Sequence, residues 1–257
     1  MFQNIYPVFE AKRLLRKEML DNLRDYPRNL FHIRHQGYSN GILWGCSLVG
    51  TDLGLTVMPG ILYYKGMPYF LEKPCTVACR ADGKLVYLKV RFFDKAVGNG
   101  GEEYFTQLAA DEQEPDPELE LELGRFKLQP GARLRTEYVD FYDYITEFDT
   151  VNRIYTPYAA PNRQGIFPQL LQCFAKTLAK SYIKNPWDCA FCMSCLQLRE
   201  AMPYEAVRVY LNTRLGQERD YTNMQIYQEL KGILEQSAGE QQGPRGPERK
   251  EKTLLMI

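Results

Sequence analysis

The sequence predicts an α+β protein, in which one helix leads into an N-terminal antiparallel β-sandwich and a small helical bundle and a disordered tail follow. Short runs of strand-forming residues between glycine and proline turns fill residues 30–93, and apolar residues recur at helical spacing after Gly165. The end of the chain is polar and rich in glycine and proline. We therefore expect a β-sandwich domain over residues 1–160, a helical bundle domain over 161–236 and a disordered tail over 237–257.

The N-terminal helix is predicted over residues 9–24. Leu15, Met19 and Leu23 follow one another at four-residue spacing and form one apolar stripe, as in an amphipathic helix. Pro27 is expected to end this helix, because proline has no amide hydrogen for the helical ladder.

Turn signals divide the β-rich part. Pro59-Gly60 fits a type II turn, and Lys65-Gly66 and Asp82-Gly83 are expected to reverse the chain between neighbouring strands. Gly124 interrupts an alternation of leucine and glutamate, which predicts a β-bulge there. The glycine-rich and acidic residues 98–117 indicate a surface loop.

Four helix starts are predicted in the C-terminal part. Pro168 suits a first helical turn, Asn185-Pro186 can cap and open a second helix, Pro203 can open a third, and Thr222 can cap a fourth. The short connections between these helices favour an antiparallel bundle.

The composition limits the classes of partner. Lys+Arg and Asp+Glu are balanced at 32 each, so a nucleic-acid partner is not expected. No apolar run is long enough to span a bilayer, so a membrane partner is not expected either. The seven cysteines are too sparse for a disulfide-stapled secreted fold, which predicts reduced thiols in a cytoplasmic protein.

Residues 40–66 contain the wording Asn-Gly-Ile-Leu-x-Gly-Cys and then Leu-Thr-Val-x-Pro-Gly-Ile-Leu-Tyr-Tyr-x-Gly. Over residues 5–135 this pattern resembles the β-rich modules of phage tail baseplate and tail-fibre-docking proteins and, more distantly, the TssK family of type VI secretion baseplates. Residues 121–144, with a Leu-x-Leu-x-Arg strand and a glycine turn, add to the resemblance.

The resemblance implies a structural adaptor of a phage-tail-like or contractile injection baseplate, in a prophage or a secretion system. Its partners would be other baseplate or tail subunits, and it would be a homotrimer without a cofactor. It would occur in the cytoplasm of the producing cell or on a virion or tail particle.

Aromatic residues beside the turns are the candidate interaction surface, because tyrosine and phenylalanine are favoured in protein contacts. The candidates are Tyr63, Tyr64, Tyr69 and Phe70. The alternative is that alternate members of this set pack in the sandwich core. Such an aromatic surface is also typical of carbohydrate binding, so a carbohydrate-binding tail-fibre module is a further alternative.

A second alternative is a regulatory protein that binds zinc or an iron–sulfur cluster. Its ligands would be Cys173, Cys189, Cys192 and Cys195, because three of these thiols recur at three-residue spacing. The competing interpretation is a buried helix in which these small side chains pack among apolar neighbours, so that no metal is bound.

We expect no enzymatic activity. The sequence has no phosphate-binding loop, no nucleophile elbow and no His-Glu-x-x-His motif. His32 and His35 are the only histidines, and if they lay in a strand their odd separation would place them on opposite faces.

Overall fold

The computed structural model describes residues 7–9, 11–12, 14–93, 96–98, 101–180 and 182–239. The fold is α+β, as predicted, with a β-rich N-terminal part and a helical C-terminal part. The helices are α1 (Lys17–Arg34), α2 (Pro168–Leu178), α3 (Pro186–Leu196), α4 (Tyr204–Leu215) and α5 (Asn223–Gly239), with a short 3-10 helix at Tyr142–Ile145. The strands are β1 (Gly41–Gly45), β2 (Leu48–Thr51), β3 (Gly54–Val57), β4 (Gly60–Tyr64), β5 (Met67–Leu71), β6 (Cys75–Val77), β7 (Leu85–Phe92), β8 (Ala96–Gly98), β9 (Gly101–Glu103), β10 (Thr106–Asp111) and β11 (Glu120–Lys127).

The strands form three antiparallel sheets of three strands and one small hairpin. The strand orders are β1-β4-β5, β10-β7-β11 and β2-β3-β6, while β8 pairs with β9. Side chains from all three larger sheets contribute to one buried apolar cluster. The sheets therefore share a core, as a β-sandwich domain requires.

Helix α1 differs from its prediction at both ends, because it begins at Lys17 and continues through Pro27 to Arg34. The amphipathic spacing persists beyond the proline, and Phe31 near the C-terminal end packs against Tyr63 of β4. This tertiary contact compensates for the hydrogen bond that Pro27 removes. Residues 10 and 13 of the predicted helix lie outside the described residues.

The predicted turn at Lys65-Gly66 is confirmed, whereas Pro59-Gly60 is not a type II turn, because Gly60 has no positive φ and begins β4. Lys65 and Gly66 form a two-residue turn between β4 and β5, with φ of 46° and 80°. Asp82 accepts a hydrogen bond from the Lys84 amide at 3.0 Å, but β6 and β7 on either side of Asp82-Gly83 lie in different sheets, so the predicted reversal between neighbouring strands does not form there. The register between β7 and β11 shifts at Gly124, so the predicted bulge is present.

The prediction of a loop over residues 98–117 is wrong for its central part. Residues Thr106–Asp111 form β10, which pairs in continuous antiparallel register with β7. Leu108 and Ala110 are half-buried against the core, so this strand gains apolar burial despite its acidic neighbours.

The four predicted helix starts in the C-terminal part are confirmed. Asn185 Oδ1 accepts a hydrogen bond from the Trp187 amide at 2.9 Å and caps α3. Thr222 Oγ1 accepts one from the Gln225 amide at 3.3 Å at the start of α5. The disordered tail was predicted to begin at residue 237, but residues 237–239 belong to α5. The rest of the predicted tail, residues 240–257, lies outside the described residues.

The largest buried cluster extends from Ile42 in the β-rich part to Leu234 in α5. Hydrogen bonds also cross between the two parts, since Asn223 Nδ2 donates to the Ile154 carbonyl at 3.0 Å and the Tyr227 hydroxyl donates to the Phe141 carbonyl at 3.3 Å. The division into two domains near residue 160 stays a prediction. None of the described helices is long and apolar enough to cross a membrane.

Candidate protein-docking surface

The β4–β5 hairpin directs its aromatic side chains to two opposite faces of its sheet, because successive residues of a strand alternate. Tyr64 and Tyr69 face the main core, whereas Tyr63 and Phe70 lie on the other face. The structure therefore does not bring the four predicted residues together on one surface.

Tyr64 serves packing in the core. Its ring is buried and stacks on Phe92 of β7 with centroids 3.7 Å apart, and its hydroxyl donates to the Glu118 carbonyl. Tyr69 is half-buried and meets the same Phe92 ring edge to face at 5.0 Å. Burial also raises the pKa of Tyr69 above its ordinary value. Tyr64 is thus corrected from an interaction residue to a core residue.

Tyr63 is also buried, on the opposite face of the sheet. It belongs to a small apolar cluster with Leu43 and Ala159, against which Phe31 of α1 packs. Its hydroxyl donates to the His35 carbonyl at 3.1 Å, which fixes the end of α1 on the sheet. Tyr63 is therefore corrected as well, since helix α1 covers it.

Next to this cluster the same face of the sheet carries apolar side chains that are exposed or half-buried. Trp44 of β1 pairs with Ile61 of β4, and Ile61 pairs with Phe70 of β5, so the three side chains form one row across the sheet. Trp44 is 53% exposed and Phe70 is 64% exposed. We call Trp44, Ile61 and Phe70 the aromatic row.

Helix α1 carries a second exposed apolar feature, on residues other than those that line its contact with the sheet. Apolar residues follow alternate spacings of four and three along the helix, the spacing of a heptad seam. Four of them are largely exposed and one is half-buried, and none lies fully in the core. We call this set the α1 stripe: Met19, Leu23, Tyr26, Leu30 and Ile33.

A groove of about 580 Å3 separates α1 from the β4–β5 hairpin. Its walls are mostly apolar and include Phe31 on the helix side and Phe70 on the strand side. Arg28 and His32 also line it, and no acidic residue is among the lining residues. We call this space the α1–β5 groove.

Of the four predicted residues, Phe70 is the one that the structure places in the aromatic row and in the wall of the α1–β5 groove. Sequence reasoning missed Trp44 and the continuation of the α1 stripe after Pro27. The four-and-three spacing through Leu30 and Ile33 was a usable signal for the helix. The exposure of Trp44 had no such signal, because an irregularity between Ile42 and Trp44 changes its side of the sheet.

The four cysteines of the metal alternative are not arranged as a ligand set. Cys192 and Cys195 are buried in α3, Cys173 is half-buried in α2, and Cys189 is exposed. Burial raises the pKa of the Cys195 thiol to about 12. Among the described residues, no group of three His, Cys, Asp or Glu side chains could hold a metal ion.

The two histidines are both placed by α1 rather than by a strand. His32 is exposed on the helix, whereas His35 is buried at its C-terminal cap. The Nδ1 atom of His35 lies 2.9 Å from the Phe31 carbonyl, and its ring packs edge to face on Tyr38. His35 therefore helps to anchor the helix.

Buried charged groups elsewhere connect elements of the fold. Asp188 of α3 accepts hydrogen bonds from Tyr210 and Arg214 of α4, both at 3.0 Å. Lys89 of β7 is buried between Asp111 of β10 and Glu120 of β11, with Nζ to oxygen distances of 2.9 and 3.0 Å. Each cluster satisfies its charges internally and joins neighbouring elements.

Comparisons with known proteins add a similarity in structure. No protein-family profile matches the sequence, and no curated protein matches it. A crystal structure of TssK aligns over 93% of this chain and 72% of its own, with 8% identity and a TM-score of 0.41. The type VI secretion TssK–TssF–TssG baseplate subcomplex aligns over 91% of this chain and 100% of its own, with 10% identity and a TM-score of 0.40. The baseplate complex of the type VI secretion system has the same coverages, 11% identity and a TM-score of 0.37, so the similarities are to baseplate structures at low identity.

Proposed function

We propose that this protein is a non-enzymatic structural adaptor that docks neighbouring subunits through its aromatic row and α1 stripe. The observation that carries the proposal is the aromatic row, in which Trp44 and Phe70 are more than half exposed on an ordered sheet. Contiguous exposed apolar surface of this kind marks interaction sites, because leaving it in water is unfavourable.

The composition of the surface agrees with protein recognition. Aromatic residues dominate the energetic centres of protein interfaces, while polar residues surround them. Here Phe70 lines the α1–β5 groove together with the charged residue Arg28. An apolar centre with a polar rim lets a partner gain apolar burial without burying unpaired charge.

The assembly that we propose is a phage-tail-like or contractile injection baseplate. Support for this finer assignment comes from the resemblance of residues 40–66 to baseplate β-modules. The partners would be baseplate or tail subunits, and the same resemblance implies a homotrimer.

The test is purification of the tagged full chain from the cells that produce it, with mass spectrometric identification of the proteins that remain bound. We expect tail or baseplate subunits to be recovered with the wild type. With Trp44→Glu or Phe70→Glu, we expect their recovery to be at least about tenfold lower. Leu53→Glu is the matched control, because Leu53 is 78% exposed in the β2–β3 turn, outside this surface. Equal recovery with all variants, or partners of another class, would contradict the proposal.

Native mass spectrometry of the purified chain tests the oligomeric part of the proposal. A metal-free trimer is the expected mass. A monomer that carries zinc or an iron–sulfur cluster would overturn the adaptor function in favour of the cysteine alternative.

A further inference from the structure

The free edge of β5 and the α1–β5 groove lie side by side, and their geometry indicates how a partner could dock. Strand β5 is the last strand of the order β1-β4-β5, and none of the described strands pairs with its outer side. An unpaired edge presents hydrogen-bonding groups that another chain can use.

The register shows which groups of β5 are free. The two-residue turn at Lys65 and Gly66 makes Tyr64 and Met67 the hydrogen-bonded pair that closes the hairpin. Because hydrogen-bonded and non-hydrogen-bonded pairs alternate, Pro68 and Phe70 direct their backbone groups away from β4. Pro68 has no amide hydrogen, which suits an outward position on an edge strand. The Phe70 amide and the Pro68 and Phe70 carbonyls therefore face the outer side of β5, where none of the described strands pairs.

The groove supplies the side-chain pocket beside this edge. Pro68 and Phe70 form its strand wall, and Pro27 and Phe31 form its helix wall. Its volume of about 580 Å3 accommodates several side chains of an added strand. A strand that pairs with β5 would point every second side chain into this space.

The charge of the groove defines the partner further. Arg28 lines it without an acidic neighbour among the lining residues. Asp25, one turn earlier in α1, is bound by Arg24 with distances of 2.6 and 2.8 Å. A carboxylate on the partner would therefore complement Arg28, whereas a lysine at the same place would be repelled.

We infer that the α1–β5 groove binds an extended segment of a partner protein that adds as a strand to β5, with apolar side chains and a terminal acidic side chain facing the groove. This inference rests on the proposed docking function and specifies its mode as β-strand addition. The backbone pairing provides affinity, while the pocket and Arg28 select the sequence.

The experiment uses the full chain and the probe acetyl-Glu-Thr-Leu-Thr-Leu-Thr-Glu-amide, whose leucine and glutamate side chains share one face when it is extended. The control probe has lysine in place of both glutamates. Calorimetric titration is expected to show at least about tenfold tighter binding of the glutamate probe. Arg28→Glu should reverse this preference, whereas Arg199→Glu, at an exposed position that does not line the groove, should leave it unchanged.

A second measurement separates strand addition from binding to the apolar surface alone. Hydrogen exchange of the Phe70 amide should slow when the glutamate probe is bound, because that amide then donates to the probe. Absence of binding, equal binding of both probes, or binding without protection of Phe70 would each overturn the inference. If baseplate subunits are nevertheless lost on Phe70→Glu, the proposed function stands and only this docking mode fails.

Discussion

Tyr64 and Phe70 show how the side of a strand decides the role of an aromatic residue. Tyr64 stacks on Phe92 in the core, whereas Phe70, on the neighbouring strand, is mostly exposed on the other face. The same residue class therefore supplies stability at one position and accessible surface at the other.

Substitution of Tyr64 by alanine should lower the free energy of unfolding by about 3–5 kcal/mol, because it removes a buried ring and leaves a cavity. Urea denaturation measures this change. The matched control is Phe70→Ala, for which less than about 1 kcal/mol is expected, since most of the Phe70 ring is already in water. Equal losses for the two variants would contradict the assignment of these two side chains to opposite faces.

Asp143 is a second residue whose environment predicts a measurable effect. The Arg135 guanidinium donates to its carboxylate, with an Nη2 to Oδ1 distance of 2.8 Å, and the Val139 amide donates at 2.9 Å. These bonds, with that of Arg135 the strongest, lower the pKa of Asp143 from 3.8 to about 2.

The ionised form of Asp143 therefore stabilises the folded state. A carboxyl whose pKa is lower in the folded state contributes stability above its unfolded pKa and loses it as the pH falls toward the folded pKa. Asp143→Asn should cost on the order of 1–2 kcal/mol at neutral pH, and this difference should shrink between about pH 4 and pH 2. Urea denaturation of both proteins across this range measures it, and a difference that is independent of pH would contradict the ion pair.

At the scale of elements, α1 is attached to the sheet at one end only. Phe31 and His35 pack near Tyr63, while the α1 stripe is exposed along most of its length. A helix with few buried contacts depends on such an anchor, because isolated helices of this length are marginal in water.

Phe31→Ala should therefore loosen the whole of α1. We expect amide exchange in α1 to accelerate by at least about tenfold, equivalent to about 1.4 kcal/mol, with little change in β7. Leu23→Ala is the control, since Leu23 is 58% exposed on the same helix. Acceleration of equal size in both variants would indicate that Phe31 is not the anchor.

At the scale of the whole molecule, the buried apolar cluster continues from the sheets into α5. Small proteins with one continuous core generally unfold in a single cooperative transition. This arrangement bears on the predicted division near residue 160, because independent domains would unfold separately.

Each part of the chain contains one of the two tryptophans, Trp44 in β1 and Trp187 in α3. Tryptophan fluorescence can therefore follow the unfolding of each part separately. We expect the single-tryptophan variants Trp187→Phe and Trp44→Phe to show the same urea midpoint by fluorescence, and the same midpoint by far-ultraviolet circular dichroism. Two distinct midpoints would instead support two independently stable domains.

Local signals in the sequence predicted much of the fold. Pro168, Asn185 and Thr222 act through their own backbone neighbours, so the starts of α2, α3 and α5 could be located without knowledge of the tertiary structure. The same holds for the turn at Lys65-Gly66 and the bulge at Gly124. The extent of α1 could not be predicted in this way, because the contact between Phe31 and Tyr63 joins residues far apart in the chain.

The docking surface depends on longer-range geometry. Simple alternation would place Trp44 on the same face as the buried Ile42, but the irregular register between them turns Trp44 outward to meet Ile61. The groove likewise exists only because α1 is anchored beside β5. Residue types and short spacings were sufficient for the fold class and most element starts, since those follow from local backbone preferences. The exposed surface required the tertiary structure, since strand register and helix placement are set by contacts between distant residues.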